Sequence, residues 1–397
     1  MPTLPPLQLR RGEERRLRAG HLWVFSNEVD TAATPLKEFL PGDPVMLVDH
    51  RGRPLGTGYV NPNSLICARL VDRGGHLLDR SLIGHRLNIA LSLRERLYPE
   101  PCYRLVFGES DGLPGLVIDR FDDVLVAQVT TAGMERVKDE IVAALVKILS
   151  PRAIVWKNEG TMRELEGLPE YADIGYGMHA GPLHVREGGL DFAADAIGGQ
   201  KTGWFYDQRG NRDALAPFVP GARVLDLFAY VGAWGLRAAA MGAAAVTCVD
   251  GSADAVDRIQ ENARANGLGA GVEPVRADAF EFLKQARADR RHWDVVIVDP
   301  PAFVKRRKDL KEGALAYRRL NEMAMQVLSR DGMLFTCSCS HHMPRSLLLE
   351  AVQHGARHLD RFAQSLMALQ QGPDHPAHPA IPETDYLKGY ALRILPA

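Results

Sequence analysis

Up to Gly74 the chain alternates short apolar runs with Gly, Pro and Asn clusters. Val45-Met46-Leu47-Val48 and Leu65-Ile66-Cys67-Ala68-Arg69-Leu70-Val71 are set apart by Arg51-Gly52-Arg53-Pro54 and Asn61-Pro62-Asn63. Runs this short, punctuated this way, predict a small β-barrel-like module. Near Gly74-Gly75 the pattern changes. Ile83, Leu87, Ala90 and Leu91 fall on one helical face, which predicts a helix to about Leu97 with Asp79 as its N-cap. Gly115 to Arg120 and Val124 to Thr130 flank Asp122-Asp123 as a hairpin. Val137, Ile141, Ala144, Leu145 and Ile148 then predict a second helix, and Ala153 to Trp156 a further strand, so this middle segment is α+β.

From Val224 the rhythm is different again. Apolar strands at Val224 to Phe228, Ala245 to Val249, Val272 to Arg276, Val295 to Val298 and Met333 to Cys337 alternate with amphipathic stretches of helical length. That alternation predicts an α/β, doubly wound, mainly parallel sheet, whose ligands bind at the carboxyl ends of the strands. Pro373 to Pro382 reads as a rigid loop.

Composition narrows the class. At 397 residues, with roughly 150 residues per domain as a guide, two or three domains are expected. With 46% hydrophobic and 24% charged residues the chain is neither a disordered tail nor a fibrous repeat. Lys and Arg number 48 against 49 Asp and Glu, which excludes a polybasic nucleic-acid coat but leaves local basic faces. Two runs qualify: Arg10 to Arg18, with five arginines against two acids, and Lys305 to Lys311, with five bases against one acid. Cys67, Cys102, Cys248, Cys337 and Cys339 show no paired spacing, which predicts free thiols and a reducing compartment. The N-terminal residues lack the apolar core of a signal peptide, and Val224 to Val249 reads as β-α-β rather than a membrane span. A cytoplasmic location and no membrane partner are expected.

Candidate chemistry gathers at the ends of the C-terminal strands. Asp226-Leu-Phe228-Ala-Tyr-Val-Gly232-Ala-Trp-Gly235 follows a strand and opens a helix; its glycines permit close approach of a ligand, and its acid suits a cationic or amine-bearing one. Asp250 closes the second strand, where an acid accepts ribose hydroxyls. Asp278-Ala279-Phe280 closes the third, where an acid and an amide read an adenine edge. Any one of these acids alone reads as a helix N-cap. Together they predict a pocket for S-adenosylmethionine. Asp299-Pro300-Pro301-Ala302-Phe303 ends the fourth strand, aiming Asp299 at a methyl acceptor. Ala302 stands where amine methylases of bases carry an aromatic.

The fifth strand runs into Cys337-Ser338-Cys339-Ser340-His341-His342. A pyrimidine C5 is too poor a nucleophile to take a methyl group directly. A thiolate added at C6 makes it one, provided the thiol is ionised by its surroundings or by a nearby base. A zinc site built from Cys337, Cys339, His341 and His342 is disfavoured, because four donors within six residues cannot easily surround one tetrahedral ion.

Six motifs in order resemble the bacterial large-subunit rRNA cytosine-5 methyltransferase I family: Gly20-His21-Leu22-Trp23-Val24-Phe25-Ser26, Gly108 to Gly115, Lys201 to Arg209, Asp299 to Phe303, Ser338-Cys339-Ser340 and Tyr386-Leu387-Lys388-Gly389-Tyr390. The resemblance implies an N-terminal PUA domain over 1–76 (an RNA-binding β-barrel), a central α+β domain over 77–187 and a Rossmann-like class I methyltransferase domain over 188–397. It implies S-adenosylmethionine as donor and a cytosine of 23S rRNA, free or in a large-subunit assembly intermediate, as acceptor. Cys339 matches the nucleophile and Cys337 is extra. Tyr206, Gln208 and Arg209 match a segment lining the cleft. Related RNA cytosine methylases carry a second cysteine beside the fourth-strand prolines to help release product, and Pro301 and Ala302 stand there instead; release then falls to another base, such as Asp299 or a histidine.

The expected site is therefore Cys339 and Asp299 for catalysis, with Asp299 on the N3 and N4 edge of the base. Asp226, Phe228, Gly232, Gly235, Asp250, Asp278, Ala279, Tyr206, Gln208 and Arg209 are expected at the cofactor, and Pro300, Phe303 and Lys305 at the substrate, with no metal. Phe303 reads equally well as a stacking platform for a flipped base and as core packing. Two rivals stay open. A methyltransferase of the same fold acting on a guanine nitrogen is disfavoured by Ser338-Cys339-Ser340. A non-catalytic RNA-binding assembly factor is disfavoured by the four acids. A homodimer is left open.

Overall fold

The computed structural model describes residues 4–199 and 201–397. The chain divides into two units, each discontinuous in sequence: Met1–Leu183 with Asp195–Trp204 and Pro373–Thr384, and His184–Ala194 with Phe205–Gly372 and Asp385–Ala397.

The first unit holds two five-stranded sheets. In one the strand order is Pro6–Gln8, Asp43–Val48, Pro54–Val60, Ala68–Asp72, Trp23–Val24, around a core that includes Leu7, Val45, Leu47, Val60 and Leu70. The expected strand from Leu65 begins only at Ala68, and Leu65 is 70% exposed. Asn61 turns the chain there, its backbone N–H bonded to Cys67 O and its side chain to Glu166. The other sheet runs Tyr171–Gly177, Ala153–Asn158, Val124–Val129, Leu116–Phe121, Cys102–Phe107. Helices Arg80–Leu97 and Lys138–Leu149 supply Ile83, Leu87, Ile141 and Leu145 to its core. Asp79 caps the first of them, accepting from Leu82 N at 2.9 Å, a bond worth about 1 kcal/mol.

Polar burial explains one further departure from the apolar pattern and anchors one expected loop. The strand expected to stop at Trp156 continues through Lys157 and Asn158, both buried, where the Asn158 side-chain Oδ1 accepts from Val129 N at 2.7 Å. The stretch Pro373 to Pro382, expected as a loop, carries fully buried Asp374. Its backbone oxygen accepts from Arg94 at 2.7 Å and its carboxylate from Arg104 N at 3.0 Å, so it is packed structure within the first unit.

The second unit is built on a seven-stranded sheet. Its strands are β1 (Arg223–Leu227), β2 (Ala245–Asp250), β3 (Val272–Arg276), β4 (Trp293–Val298), β5 (Leu328–Ser338), β6 (Arg361–Gln370) and β7 (Lys388–Pro396). Helices α1 (Ala233–Ala240), α2 (Ala253–Ala265), α3 (Ala279–Ala288), α4 (Leu310–Gln326) and α5 (Arg345–His358) connect them. The order across the sheet is β3-β2-β1-β4-β5-β7-β6, with β1 to β5 parallel and β7 antiparallel to both neighbours. Leu225, Leu227, Val296, Val298 and Leu334 are buried with Leu283, Tyr317, Leu320 and Leu348 of the helices. Strands covered on both faces read as unbroken apolar runs, which is why they were visible in the sequence.

The parallel strands bring Asp226, Asp250, Asp299 and Cys339 to one edge. Because β7 runs the other way, its first residues start at that same edge: Lys388 pairs with Ser338 and Gly389 with Cys337. A Cβ on Gly389 would stand 2.5 Å from Thr336 O and 3.0 Å from Cys337 Sγ, so only glycine lets the two backbones close there. A hairpin of Leu183–Glu187 and Leu190–Ala194 adds Glu187 to this unit. No helix among the described residues is long and apolar enough to cross a membrane.

Candidate active site

The turn after β1 carries the sharpest backbone. Phe228 (φ 63°) and Tyr230 (φ 52°) are left-handed although neither is glycine, a cost of order 1–3 kcal/mol each that the surrounding structure must hold. Gly232 (φ 85°) is the N-cap of α1. The glycines serve different ends: a Cβ on Gly235 would meet Cys248 Sγ at 2.3 Å, so Gly235 lets α1 pack against β2. The Gly235 N–H donates to Asp226 Oδ2 at 2.9 Å, whereas the buried Asp226 Oδ1 has no hydrogen-bond partner. Burial pushes the Asp226 carboxyl up to about 8; the Gly235 bond opposes this, and the charges of Asp299 and Asp250 add to it.

At the next two strand ends the acids organise backbone. Asp250 accepts from Tyr230 N and Ser252 N, both at 2.9 Å, which ties the β1 turn to the end of β2. Asp278 is exposed and caps α3, accepting from Phe280 N at 2.9 Å and Glu281 N at 3.1 Å, with Ala279 buried behind it. The capping role is thus present, and both bonds fall on Oδ1.

Past β4, Asp299 accepts from Gln208 and Trp234. Gln208 Nε2 donates to both its oxygens at 3.0 Å and Trp234 Nε1 donates to Oδ2 at 3.1 Å. Asn211 Nδ2 donates to Gln208 Oε1 at 2.6 Å, which fixes that amide. Cys337 Sγ lies 3.9 Å from the same oxygen. Cys337 is 1% exposed, and burial pushes its thiol well up, so it stays protonated. Cys339 is half-buried, 4.0 Å from Pro300 O.

The turn around Cys339 is pinned from both sides. Ser338 Oγ donates to Tyr317 OH at 2.8 Å, Tyr317 OH and Ser340 Oγ are 2.9 Å apart, and Ser340 Oγ accepts from Val304 N at 3.1 Å. Lys388 Nζ donates to Ser340 O at 2.8 Å. Phe303 rests on Tyr317 with ring centroids 4.8 Å apart, so its packing role is realised. Lys305 stands exposed on the segment beyond it, where Arg306 pairs with Asp309 at 3.0 Å. Tyr206 is buried, with the Arg209 guanidinium 5.2 Å over its ring and Arg209 Nε 3.5 Å from Glu187. In the first unit, Arg16 and Arg18 of the basic run pair with Glu28 and Asp49. Among the described residues no group of three or more His, Cys, Asp or Glu is arranged to hold a metal ion.

Trp234, Asn211, Tyr317 and Lys388 were not picked out from the sequence. Trp234 and Lys388 lay inside quoted motifs, and a donor next to a strand-end acid was the usable signal for Trp234. Asn211 and Tyr317 stand on helices, where nothing local marks them.

Known proteins resemble the chain over nearly its whole length. Residues 7–73 match the PUA-like domain family and residues 176–388 the S-adenosylmethionine-dependent methyltransferase family. A protein of Shewanella denitrificans named ribosomal RNA large subunit methyltransferase I is 37% identical over 98% of this chain and 99% of its own. One of the same name from Klebsiella pneumoniae is 35% identical over 98% of each. A solved structure assigned as a methyltransferase and complexed with SAH superposes with a TM-score of 0.85 at 23% identity, over 98% of this chain and 100% of that one. Another, from Streptococcus mutans, gives 0.83 at 22% identity, with the same coverage. These two share the fold.

Proposed function

Because the chain belongs to the ribosomal RNA large subunit methyltransferase I family, with a PUA-like domain and an S-adenosylmethionine-dependent methyltransferase domain, we propose that it methylates C5 of a cytosine in 23S rRNA through a transient bond to Cys339. The observation that carries this reading is a half-buried thiol on a pinned turn, at the same sheet edge as Asp226 and Asp299.

S-adenosylmethionine supplies a methyl group made electrophilic by its sulfonium. The residues fit it: the orphaned Asp226 oxygen is a buried acceptor that gains from a neighbouring cation or amine, and Asp250, Asp278 and Ala279 offer the ribose and adenine partners. Cys339 adds to C6, and the electron pair displaced onto C5 takes the methyl. A base then removes the C5 proton, the C6–sulfur bond breaks, and the thiolate returns. Asp299, aimed by Gln208 and Trp234, faces the N3 and N4 edge, where its carboxylate accepts from the N4 amino group. The PUA-like domain and the exposed Lys305 segment contribute phosphate contacts that position the RNA.

Asp226 makes cofactor binding proton-linked. Its carboxyl titrates at about 8 in the fold against 3.8 when unperturbed, so the folded protein holds a proton that the unfolded chain releases. Its contribution to stability is full below the lower value and lost as pH rises through the higher one. A cation placed beside it restores the carboxylate. S-adenosylmethionine binding at pH 7 is therefore expected to release up to one proton, read as a dependence of calorimetric heat on buffer ionisation enthalpy. Asp226→Asn should remove that dependence; identical heats in phosphate and Tris for the unaltered protein would contradict it.

Mapping 5-methylcytosine in 23S rRNA from cells with and without the protein tests the assignment. Loss of the mark at one cytosine is expected. Loss of a methylated guanine instead supports the nitrogen-methylating rival, and an unchanged set of marks supports the assembly factor.

A further inference from the structure

We propose that Lys388 is the positioning residue that ionises Cys339, its amine taking the thiol proton and the resulting ammonium holding the thiolate. The inference deepens the covalent reading above and rests on it for its role in turnover. Lys388 is 6% exposed. A buried ammonium is costly to keep charged. Its one hydrogen bond goes to the carbonyl of Ser340, the residue next to Cys339. The antiparallel register that sets Lys388 opposite Ser338 delivers it there, and the glycine at 389 permits the approach.

The charged groups facing Lys388 are few. Burial lowers its ammonium from 10.5 to about 8; Arg345 on α5 pushes the same way, while Asp385 on the preceding loop and the Cys339 sulfur oppose it. An amine near 8 is well matched to exchange a proton with a thiol of ordinary value near 8.5. The favourable interaction is reciprocal, so what the thiolate does for the ammonium, the ammonium does for the thiolate. Other neighbours are less suited: Cys337 stays protonated, and Asp299 is committed to Gln208 and Trp234. The Tyr317 hydroxyl is raised by burial and engaged by Ser338 and Ser340. The step balances without another reactant: the S–H bond breaks, an N–H bond forms, and both charges stay within the pair.

The test is the pH dependence of Cys339 alkylation by iodoacetamide in the full-length protein without RNA, followed by mass spectrometry of the Cys339 peptide. In the unaltered protein the midpoint is expected well below 8.5. Lys388→Met should raise it by about one unit and slow alkylation at pH 7 by roughly three- to tenfold, with S-adenosylmethionine binding retained as the check of folding. Lys388→Arg, which keeps the cation, should preserve the low midpoint. An unchanged midpoint in a folded Lys388→Met protein overturns the proposal. So does a midpoint at or above 8.5 in the unaltered protein, which needs no variant. If Cys339→Ala methylates RNA at full rate while the alkylation midpoint still follows Lys388, the pairing stands and the covalent reading falls.

Discussion

Cys339→Ala is expected to abolish methyl transfer to cytosine, lowering the single-turnover rate by roughly a thousandfold or more, while leaving S-adenosylmethionine binding close to that of the unaltered protein. The size follows from the chemistry. Without addition at C6 the C5 carbon has no electron pair to offer, and no neighbouring group replaces the sulfur, since Cys337 is enclosed and protonated. The selectivity follows from the structure. The turn is held by Ser338, Ser340, Tyr317 and Lys388 through groups other than the Cys339 thiol, so deleting a half-buried sulfur leaves the frame standing. Cys337→Ala should show the opposite profile: turnover within a few-fold, and a stability loss of about 1 kcal/mol from the small cavity. Rates measured as 5-methylcytosine formed in a 23S rRNA substrate, beside thermal melts, separate the two.

Arg212→Met is expected to be the most destabilising single change near the site. The Arg212 guanidinium, 1% exposed, donates to Glu187 at 2.5 and 2.7 Å and to Phe205 O at 2.9 Å. Burial alone would raise the Glu187 carboxyl; the charge and hydrogen bonds of Arg212 prevail and hold it below the usual range. Removing one member of a buried pair costs about 3–5 kcal/mol, and the nearby Arg209 and Arg237 charges place this case toward the lower end. With its value depressed, Glu187 stabilises the native protein above its unfolded value, and that contribution is lost as pH falls through the folded value. In the variant the depressing partner is gone and burial dominates, so this contribution should weaken as pH rises from 5 to 7. Denaturant melts at both pH values read the reversal. Adding Glu187→Leu should recover much of the loss, because an apolar pair replaces a stranded charge.

What the sequence disclosed followed the reach of local rules. The parallel strands were visible because both faces of β1, β4 and β5 are buried, leaving unbroken apolar runs, and Asp79 was visible because a cap needs only its own helix. Strand-end acids were visible as a set because a doubly wound sheet puts successive strand ends on one edge. The invisible parts depend on distant partners. Lys388 acquires its position from the reversal of β7 between β5 and β6, which no local pattern states. Gly235 reads as a ligand-approach glycine until Cys248 is found against it. Nothing local in the sequence marked Glu187; only Arg212 shows why it is buried. Pro373 to Pro382 was legible as a loop, but its packing on Arg94 and Arg104, far away in sequence, was not.

The claim that a sulfur bonds transiently to the pyrimidine is tested most directly by 23S rRNA fragments carrying 5-fluorocytosine, incubated with the protein and S-adenosylmethionine. Fluorine cannot leave C5 as a proton does, so the adduct should persist under denaturing electrophoresis with the mass of protein, RNA and one methyl group, attached at Cys339 and absent from Cys339→Ala. No adduct with the unaltered protein, or an equal yield from Cys339→Ala, would contradict the account.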